Sequence, residues 1–479
     1  MIVDIDKTFQ PIVNFLDHVL FWDPFAALGF VLPVKIPFIL IWLIFGAIFF
    51  TIYLRFINFR GLKHAIELVM GKYDKHGHSG EISHFQALAT ATASTIGLGN
   101  IAGVAVAITM GGPGATFWLI IAGFLGMTTK FVECTLGVKY RKINDDGTVS
   151  GGPMYYLRDG LAKKGWKRSG KFLAILFAIF ASIGTFGIGN MFQSNQMVAQ
   201  AVATFPVLDG TQLWIGIGLA VLVGFVIIGG IKGIAKVNDK LFPLMAGTYL
   251  LSALTVIAIN YQHIGEAFGL ILSGAFTPDG IKGGAIGVLI IGFRRAAFSN
   301  EAGIGSAAIA HATVKTDSPV TEGFVALLEP FIDTVIICTL TALVIITSGL
   351  YTNPDNLAGT ALTSAAFSTV SSWFPYLLLP TITLFTFTTL ISWSYYGVKS
   401  FDFLIGDFVE RKFGNRIFAT RAYQIVFLML TALGSVLSLN AVVDFSDMLI
   451  LAMAVPNIIG LYVLAPEVKL ALKEYVKMA

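Results

Sequence analysis

The sequence predicts an all-α polytopic membrane protein: two five-helix units of opposite orientation, preceded by one extra N-terminal span. Three observations carry this. Of 479 residues, 56% are hydrophobic and 13% charged, with a mean hydropathy of +0.78, whereas soluble domains are roughly 25% charged. Two long apolar stretches, 85–110 and 284–312, are each interrupted near the middle by glycine and polar residues. Lys and Arg fall in alternate loops. A transmembrane barrel would show segments of about ten residues in apolar/polar alternation, and the runs here are long and apolar all round.

Residues 1–34 mix Asp4, Asp6, Asp17 and Asp23 with Phe, Leu and Trp22. They are too interrupted to span, and a short interfacial helix is expected. No basic region followed by an apolar core and a small-residue site marks a removable signal. Span one covers 36–53 and is followed by the basic residues Arg55, Arg60, Lys63, Lys72 and Lys75. The interrupted span 85–110 stops at Gly111-Gly112-Pro113-Gly114, a helix stop and tight turn. Further spans are expected over 115–140, 172–203, 213–231, 241–259, 284–312, 321–348, 376–401, 422–437 and 447–464, eleven in all.

The short loops carrying Lys and Arg are 55–84, 139–171, 232–240, 313–320, 399–421 and 469–479, and those at 111–114, 204–212, 349–375 and 438–446 have none. Because cytoplasmic loops hold the positive excess, the N-terminus is expected outside and the C-terminus in the cytoplasm, in the cell (inner) membrane. Setting span one aside leaves ten spans, and the interrupted ones open each group of five. Five is odd, so the second group enters from the opposite side, an inverted repeat. The expected units are 1–84 (interfacial helix, extra span, basic loop), 85–260 (first repeat), 283–465 (second repeat) and 466–479 (tail).

Glycine costs about 1 kcal/mol in a helix interior relative to alanine, and freed backbone at membrane depth is tolerated only where protein covers it or a cavity adjoins it. Gly97-Leu98-Gly99-Asn100 and Ser299-Asn300-Glu301-Ala302-Gly303-Ile304-Gly305 therefore predict broken helices. Half-helices beginning near Gly99 and Gly305 present N–H groups and a positive dipole end to a carboxylate. Those ending near Ser94 and Ser299 present carbonyls to an ammonium group or Na+. A zwitterion matches both. Asn100, Thr95 and Ser299 add hard oxygens. A packing role for Asn100, and for the small-residue stripe Ala87, Thr90, Ala91 and Ser94, is the competing explanation.

Ionisable groups inside spans are costly and point to function. Arg294, Arg295, Glu301 and Asp333 form such a group, with Arg295 expected to neutralise Glu301 or Asp333 in gating or in a structural network. Lys130 and Glu133 are read as a local interfacial pair. Thr388 and Thr389, one turn before Trp393, are ion-ligand candidates, and Trp393 a pocket wall. Phe192, Gln193 and Asn195 lie in Asn190-Met191-Phe192-Gln193-Ser194-Asn195-Gln196, too polar to face lipid. Cys134 and Cys338 sit inside spans and predict no disulfide framework. His76 and His78 are a chance pair in a polar loop, and no nucleophile motif or metal spacing suggests an enzyme. A net charge of +4 says little by itself; no nucleic acid and no obligatory protein partner is expected.

These residues resemble the alanine or glycine:cation symporters, sodium/amino-acid transporters with the LeuT-type fold. The motifs are Gly97-Leu98-Gly99-Asn100-Ile101-Ala102-Gly103-Val104-Ala105, Ser150-Gly151-Gly152-Pro153-Met154-Tyr155-Tyr156, Phe298-Ser299-Asn300-Glu301-Ala302-Gly303-Ile304-Gly305-Ser306, Asp333-Thr334 with Cys338-Thr339, and Trp393-Ser394-Tyr395-Tyr396-Gly397. The resemblance implies one Na+ site at the carbonyls of Ala93 and Ile96 with Thr388 and Thr389, and a second at Thr95, Asn100 and Ser299. It implies that Ile304 and Trp393 bound the substrate pocket, with Phe298 as a lid; Gly97, Gly99 and Gly303, at the helix breaks, are expected in the same pocket. Glu322 stands where the family usually has Gln, and Leu328-Glu329-Pro330 puts an acid and a proline in the next span. The expectation is Na+-coupled uptake of a small neutral amino acid by alternating access, with Na+ as coupling ion and no cofactor. Proton coupling through Glu301 or Asp333, an intramembrane enzyme and a channel are the alternatives.

Overall fold

The computed structural model describes residues 18, 21–29, 35–73, 79–276, 284–352, 356–357 and 359–478. His76, His78 and Lys75 lie outside them, as does most of 1–34, of which Pro24–Ala27 is a short helix capped by the Asp23 carboxylate. The described residues are helical apart from connections and one two-stranded hairpin, Lys142–Ile143 against Val149–Ser150.

Helix α1 (Phe38–Tyr53) is followed by α2 (Leu62–Val69). The first broken span is α3 (His84–Thr95), a link at 96–98, a π-helical turn at Gly99–Gly103 and α4 (Val104–Gly111); its halves are bent by 50°. Ser83 and Gln86 close a capping box at the start of α3, so the helix begins where its first N–H groups find side-chain acceptors. Then come α5 (Ala115–Lys139), α6 (Lys167–Phe186), a π turn at Gly187–Met191, α7 (Phe192–Thr204), α8 (Gln212–Ile227), α9 (Gly230–Ile259) and α10 (Ile264–Phe276). The second break separates α11 (Gly284–Asn300) from α12 (Ala307–His311). The chain continues through α13 (Pro319–Ala326), a π turn at Phe331–Cys338, α14 (Thr339–Thr347), α15 (Thr360–Ser368), α16 (Phe374–Phe413), α17 (Ile417–Gly434) and α18 (Leu439–Met478).

Among the described residues seven continuous helices are long and apolar enough to cross a bilayer, and the bent α3/α4 pair makes an eighth; α1 and α8 are shorter apolar helices. Two expectations change. Segments read as loops contain α10 and α15, and α15 escapes a hydropathy reading because Thr and Ser are mixed into its buried face, Thr360, Leu362, Thr363, Ala366 and Phe367. Helices α16 and α18 outrun their expected spans, each reaching 40 residues.

Helix α3 lies against α9 and α16, while α5 lies against α1, α11, α12 and α13. The Gly99–Gly103 turn touches α11, α15 and the Phe331–Cys338 turn. The packing thus brings both breaks to one place.

Candidate functional site

Each break is held open by side chains that take over its freed backbone groups, as burial requires. At the first, the Gly97 N–H donates to Asn100 Oδ1 (3.1 Å) and the Leu98 N–H to Gln193 Oε1 (3.1 Å). Gln193 Nε2 in turn donates to Ile188 O (3.0 Å). At the second, the Ala302 N–H donates to Asn300 Oδ1 (3.0 Å), Asn300 Nδ2 to Thr334 Oγ1 (2.9 Å), and Asn457 Nδ2 to Gly303 O (2.9 Å). Glu301 adopts φ +57°, beside Gly303 and Gly305 at +90°. A non-glycine residue there is strained, and such strain clusters at functional sites.

Asp333 joins the two breaks. Its Oδ1 accepts from Asn100 Nδ2 (2.7 Å), and its Oδ2 from Ser299 Oγ (2.7 Å) and Thr334 Oγ1 (2.6 Å). Cys338 Sγ lies 3.3 Å from both Asn100 Nδ2 and Ser299 Oγ. Asp333 and Asn100 are fully buried. Among the described residues no Lys or Arg lies within 4 Å of the carboxylate. The expectation that Arg295 neutralises Glu301 or Asp333 is therefore corrected. Arg295 pairs with Asp447 on α18, which Arg294 Nη2 also meets at 2.7 Å. The reason is register: Arg295 precedes the break and faces α18, whereas Glu301 lies within it and accepts from the Ser306 hydroxyl.

The remaining candidates divide by position. Thr389 Oγ1 donates to Ala93 O (3.0 Å), and a Cβ at Gly97 would stand 2.7 Å from that hydroxyl. Ile96, fully buried, opens the link. Thr388 spends its hydroxyl on Leu384 O (3.0 Å) and Phe385 O (3.1 Å) of its own helix and touches Met245 Sδ (3.3 Å). Thr95 likewise bonds back to Thr92 O (3.1 Å) rather than to Asn100 or Ser299.

The aromatic residues converge. Phe298 meets Phe192 edge-on (ring centroids 5.1 Å apart), and the Arg295 guanidinium lies over the Phe298 ring at 5.1 Å. A Cβ at Gly99 would be 3.5 Å from Phe298 and from the Ser299 backbone, so the breaks approach within van der Waals contact. Trp393 is buried beside Gly189, where a Cβ would lie 2.1 Å from the indole Cγ. Among the described residues its indole N–H has no partner. Ile304 is fully buried within the second link. Gly303 turns away, its Cβ direction aimed at Leu43 of α1. Asn195 donates to Leu437 O (2.8 Å) and lines a separate, open cavity of about 580 Å³ with Gln196, Thr360, Ser435 and Leu439.

A second polar group escaped the sequence reading. Lys130 and Glu133 are not an interfacial pair: both are fully buried, Lys130 Nζ binds Glu329 Oε2 (3.1 Å), and Glu133 Oε1 accepts from Asn457 Nδ2 (2.6 Å). Glu329 Oε1 is 2.6 Å from His311 Nε2, whose other nitrogen meets Glu322, and Glu322 also meets His84. This chain ties α3, α5, α12 and α13 together. Cys134, His311 and Glu329 are close enough to suggest a metal centre, but both imidazole nitrogens and Glu329 are already committed to each other and to Glu322 and Lys130. Five ionisable residues inside predicted spans were the available signal; their partners lie on distant elements.

Two interrupted helices apposed across a buried carboxylate, within a helical bundle of this topology, define a LeuT-type secondary transporter. The fold is similar to that of MhsT in complex with L-phenylalanine, with a TM-score of 0.51 at 16% identity, covering 82% of this chain and 100% of that one. The chain belongs to the sodium:alanine symporter family, whose model matches residues 28–479. It is 42% identical over 432 residues to the sodium/alanine symporter AgcS of Methanococcus maripaludis, covering 90% of this chain and 92% of that one. It is 36% identical over 442 residues to the probable sodium/glutamine symporter GlnT of Bacillus subtilis, covering 92% and 87%. The protein is thus a membrane transporter and not an enzyme.

Proposed function

We propose that the protein carries a small neutral amino acid, alanine or glycine, inward with Na+ by alternating access. The observation that carries the ion is Asp333: a fully buried carboxylate held by three neutral donors. A buried anion demands a cation or a proton, and the hard oxygens beside it suit Na+. In this reading Asn100, Ser299 and Asp333 form one ion site, with Thr95 at the adjoining helix end. The carbonyls of Ala93 and Ile96 with Thr389 form the other, and Thr388 turns into it only on leaving its own helix. The zwitterion lies between the breaks, its carboxylate toward the start of the Gly99–Gly103 turn, with Gln193, Ile304 and the Trp393 N–H around it. Phe192 and Phe298 close over it, so only a small side chain fits. Gly303 and Asn195 support the second link and the outer cavity.

The topology in this proposal is eleven crossings, N-terminus outside and C-terminus in the cytoplasm, with repeats over 85–260 and 283–465. Coupling needs only that ion and substrate favour the same conformer. Proteoliposomes loaded without Na+ and diluted into Na+ should accumulate labelled alanine, while Asn100→Ala and Thr389→Ala should accumulate less at the same Na+ concentration. Undiminished accumulation in choline medium that collapses with a protonophore would instead assign the carboxylate to a proton.

A further inference from the structure

The turn that ends α1 and the tail of α18 enclose a pocket of about 230 Å³. Five cationic side chains line it, Arg55, Arg60, Lys469, Lys473 and Lys477, over an apolar floor that includes Leu54, Ile57 and Val476. No carboxylate among the described residues is within 4 Å of any of the five. The Lys469 ammonium lies 3.9 Å from the centre of the Tyr53 ring, which fixes it at the pocket wall. The turn is built with strain: Arg55 and Phe56, neither of them glycine, are consecutive left-handed residues at φ 56° and 57°. The reversal is pinned by the Phe56 N–H donating to Thr51 O (2.8 Å). Phe56 and Phe59 are half exposed, at 51% and 56%, and Ile52 is 62% exposed one turn earlier. The mouth therefore opens where apolar surface gives way to charge.

We propose that this pocket binds the headgroup of an anionic phospholipid. Cation density from two helices more than 400 residues apart in the chain supplies the phosphate's counter-charge, the apolar floor receives the glycerol and first methylenes, and the exposed aromatic and aliphatic residues lie along the acyl chains. Basic pockets between helix ends on the cytoplasmic side take such headgroups. The inference shares the sidedness of the proposed topology, but its readout involves neither Na+ nor amino acid, so the transport reading can fail without affecting it.

The probe is short-chain phosphatidylglycerol titrated against thermal stability of the detergent-purified full chain, with lipid retained through purification counted by native mass spectrometry. Each cation near the headgroup contributes about a factor of five. Lys473→Gln should raise the midpoint about fivefold, and Arg55→Gln/Lys473→Gln/Lys477→Gln about a hundredfold. The triple variant should also lose retained lipid. Lys167→Gln/Arg168→Gln/Lys171→Gln removes the same charge from another basic surface and should leave both readouts unchanged. Equal losses in the two triple variants would overturn the site in favour of diffuse attraction. Stabilisation by inorganic phosphate at the same concentrations would overturn the lipid in favour of a free anion.

Discussion

Replacing Asp333 by Asn keeps the side chain's shape and removes its charge, and the structure says what else is lost. Oδ2 accepts two hydroxyls, from Ser299 and Thr334, so the amide oxygen of the variant must take that position. Its NH2 then faces Asn100 Nδ2, 2.7 Å from the present Oδ1, donor against donor. Flipping Asn100 relieves that clash but removes the Oδ1 acceptor of the Gly97 N–H. One buried bond to a charged group is lost either way, worth about 1.5–3 kcal/mol, and the Na+ site loses its only formal charge. A change of about 2.8 kcal/mol is a hundredfold in a binding constant. The Na+ concentration for half-maximal alanine uptake by proteoliposomes should therefore rise about a hundredfold while the protein remains folded by gel filtration. Half-saturation within about threefold of the parent (under about 1 kcal/mol) would refute the assignment of Asp333 to the ion.

The two threonines should separate. Thr389→Val removes the hydroxyl at Ala93 O and should raise the Na+ requirement about tenfold, near 1.4 kcal/mol, whereas Thr388→Val, whose hydroxyl is spent within its helix, should stay within about threefold, both read from Na+-dependent uptake. Lys130→Met takes one of two buried partners from Glu329, leaving His311, and should destabilise by about 1.5–3 kcal/mol; Lys130→Met/Glu329→Gln should unfold at a higher temperature than Lys130→Met alone, a non-additive outcome expected of residues in contact. Near the end of α18, partial burial pushes the Glu467 carboxyl up, but hydrogen bonds from Lys139 (2.7 Å), Tyr140 (2.7 Å) and Lys164 outweigh it and bring it from an ordinary 4.5 down to about 2. A folded value below the unfolded one means stability that is complete above about pH 4.5 and lost as pH falls toward 2. Glu467→Gln should therefore melt below the parent near neutral pH, with the gap narrowing through that acid window in a thermal scan.

The helices and their breaks were legible because each has a local cause. Gly97, Gly99, Gly303 and Gly305 weaken a helix wherever they sit, and Ser83 with Gln86 marks where one starts. Asp333, Ser299 and Asn100 were each legible as polar residues out of place in apolar spans. That one carboxylate gathers the other two depends on helices far apart in the chain, and no local pattern encodes it. The same holds for charge pairing. Arg295 has Glu301 within two turns, yet it meets Asp447, 152 residues away. Lys130 passes over Glu133, three residues on, for Glu329. Spacing suggests a partner along one helix, whereas burial lets only the partner across the interface satisfy the charge. Helix α15 was lost for the opposite reason: its Thr and Ser read as loop, while in the structure Thr363 Oγ1 reaches Ile101 O (3.1 Å) and helps cover the first break.

In the proposed site the two breaks and Asp333 hold Na+ and a small amino acid together. This is tested most directly by isothermal titration of the purified protein with alanine in Na+ and in choline, and with Na+ at fixed alanine. Each ligand should tighten the other by the same factor, and in Asp333→Asn the Na+ concentration needed to tighten alanine should rise about a hundredfold. Alanine binding of equal affinity in both media would contradict it.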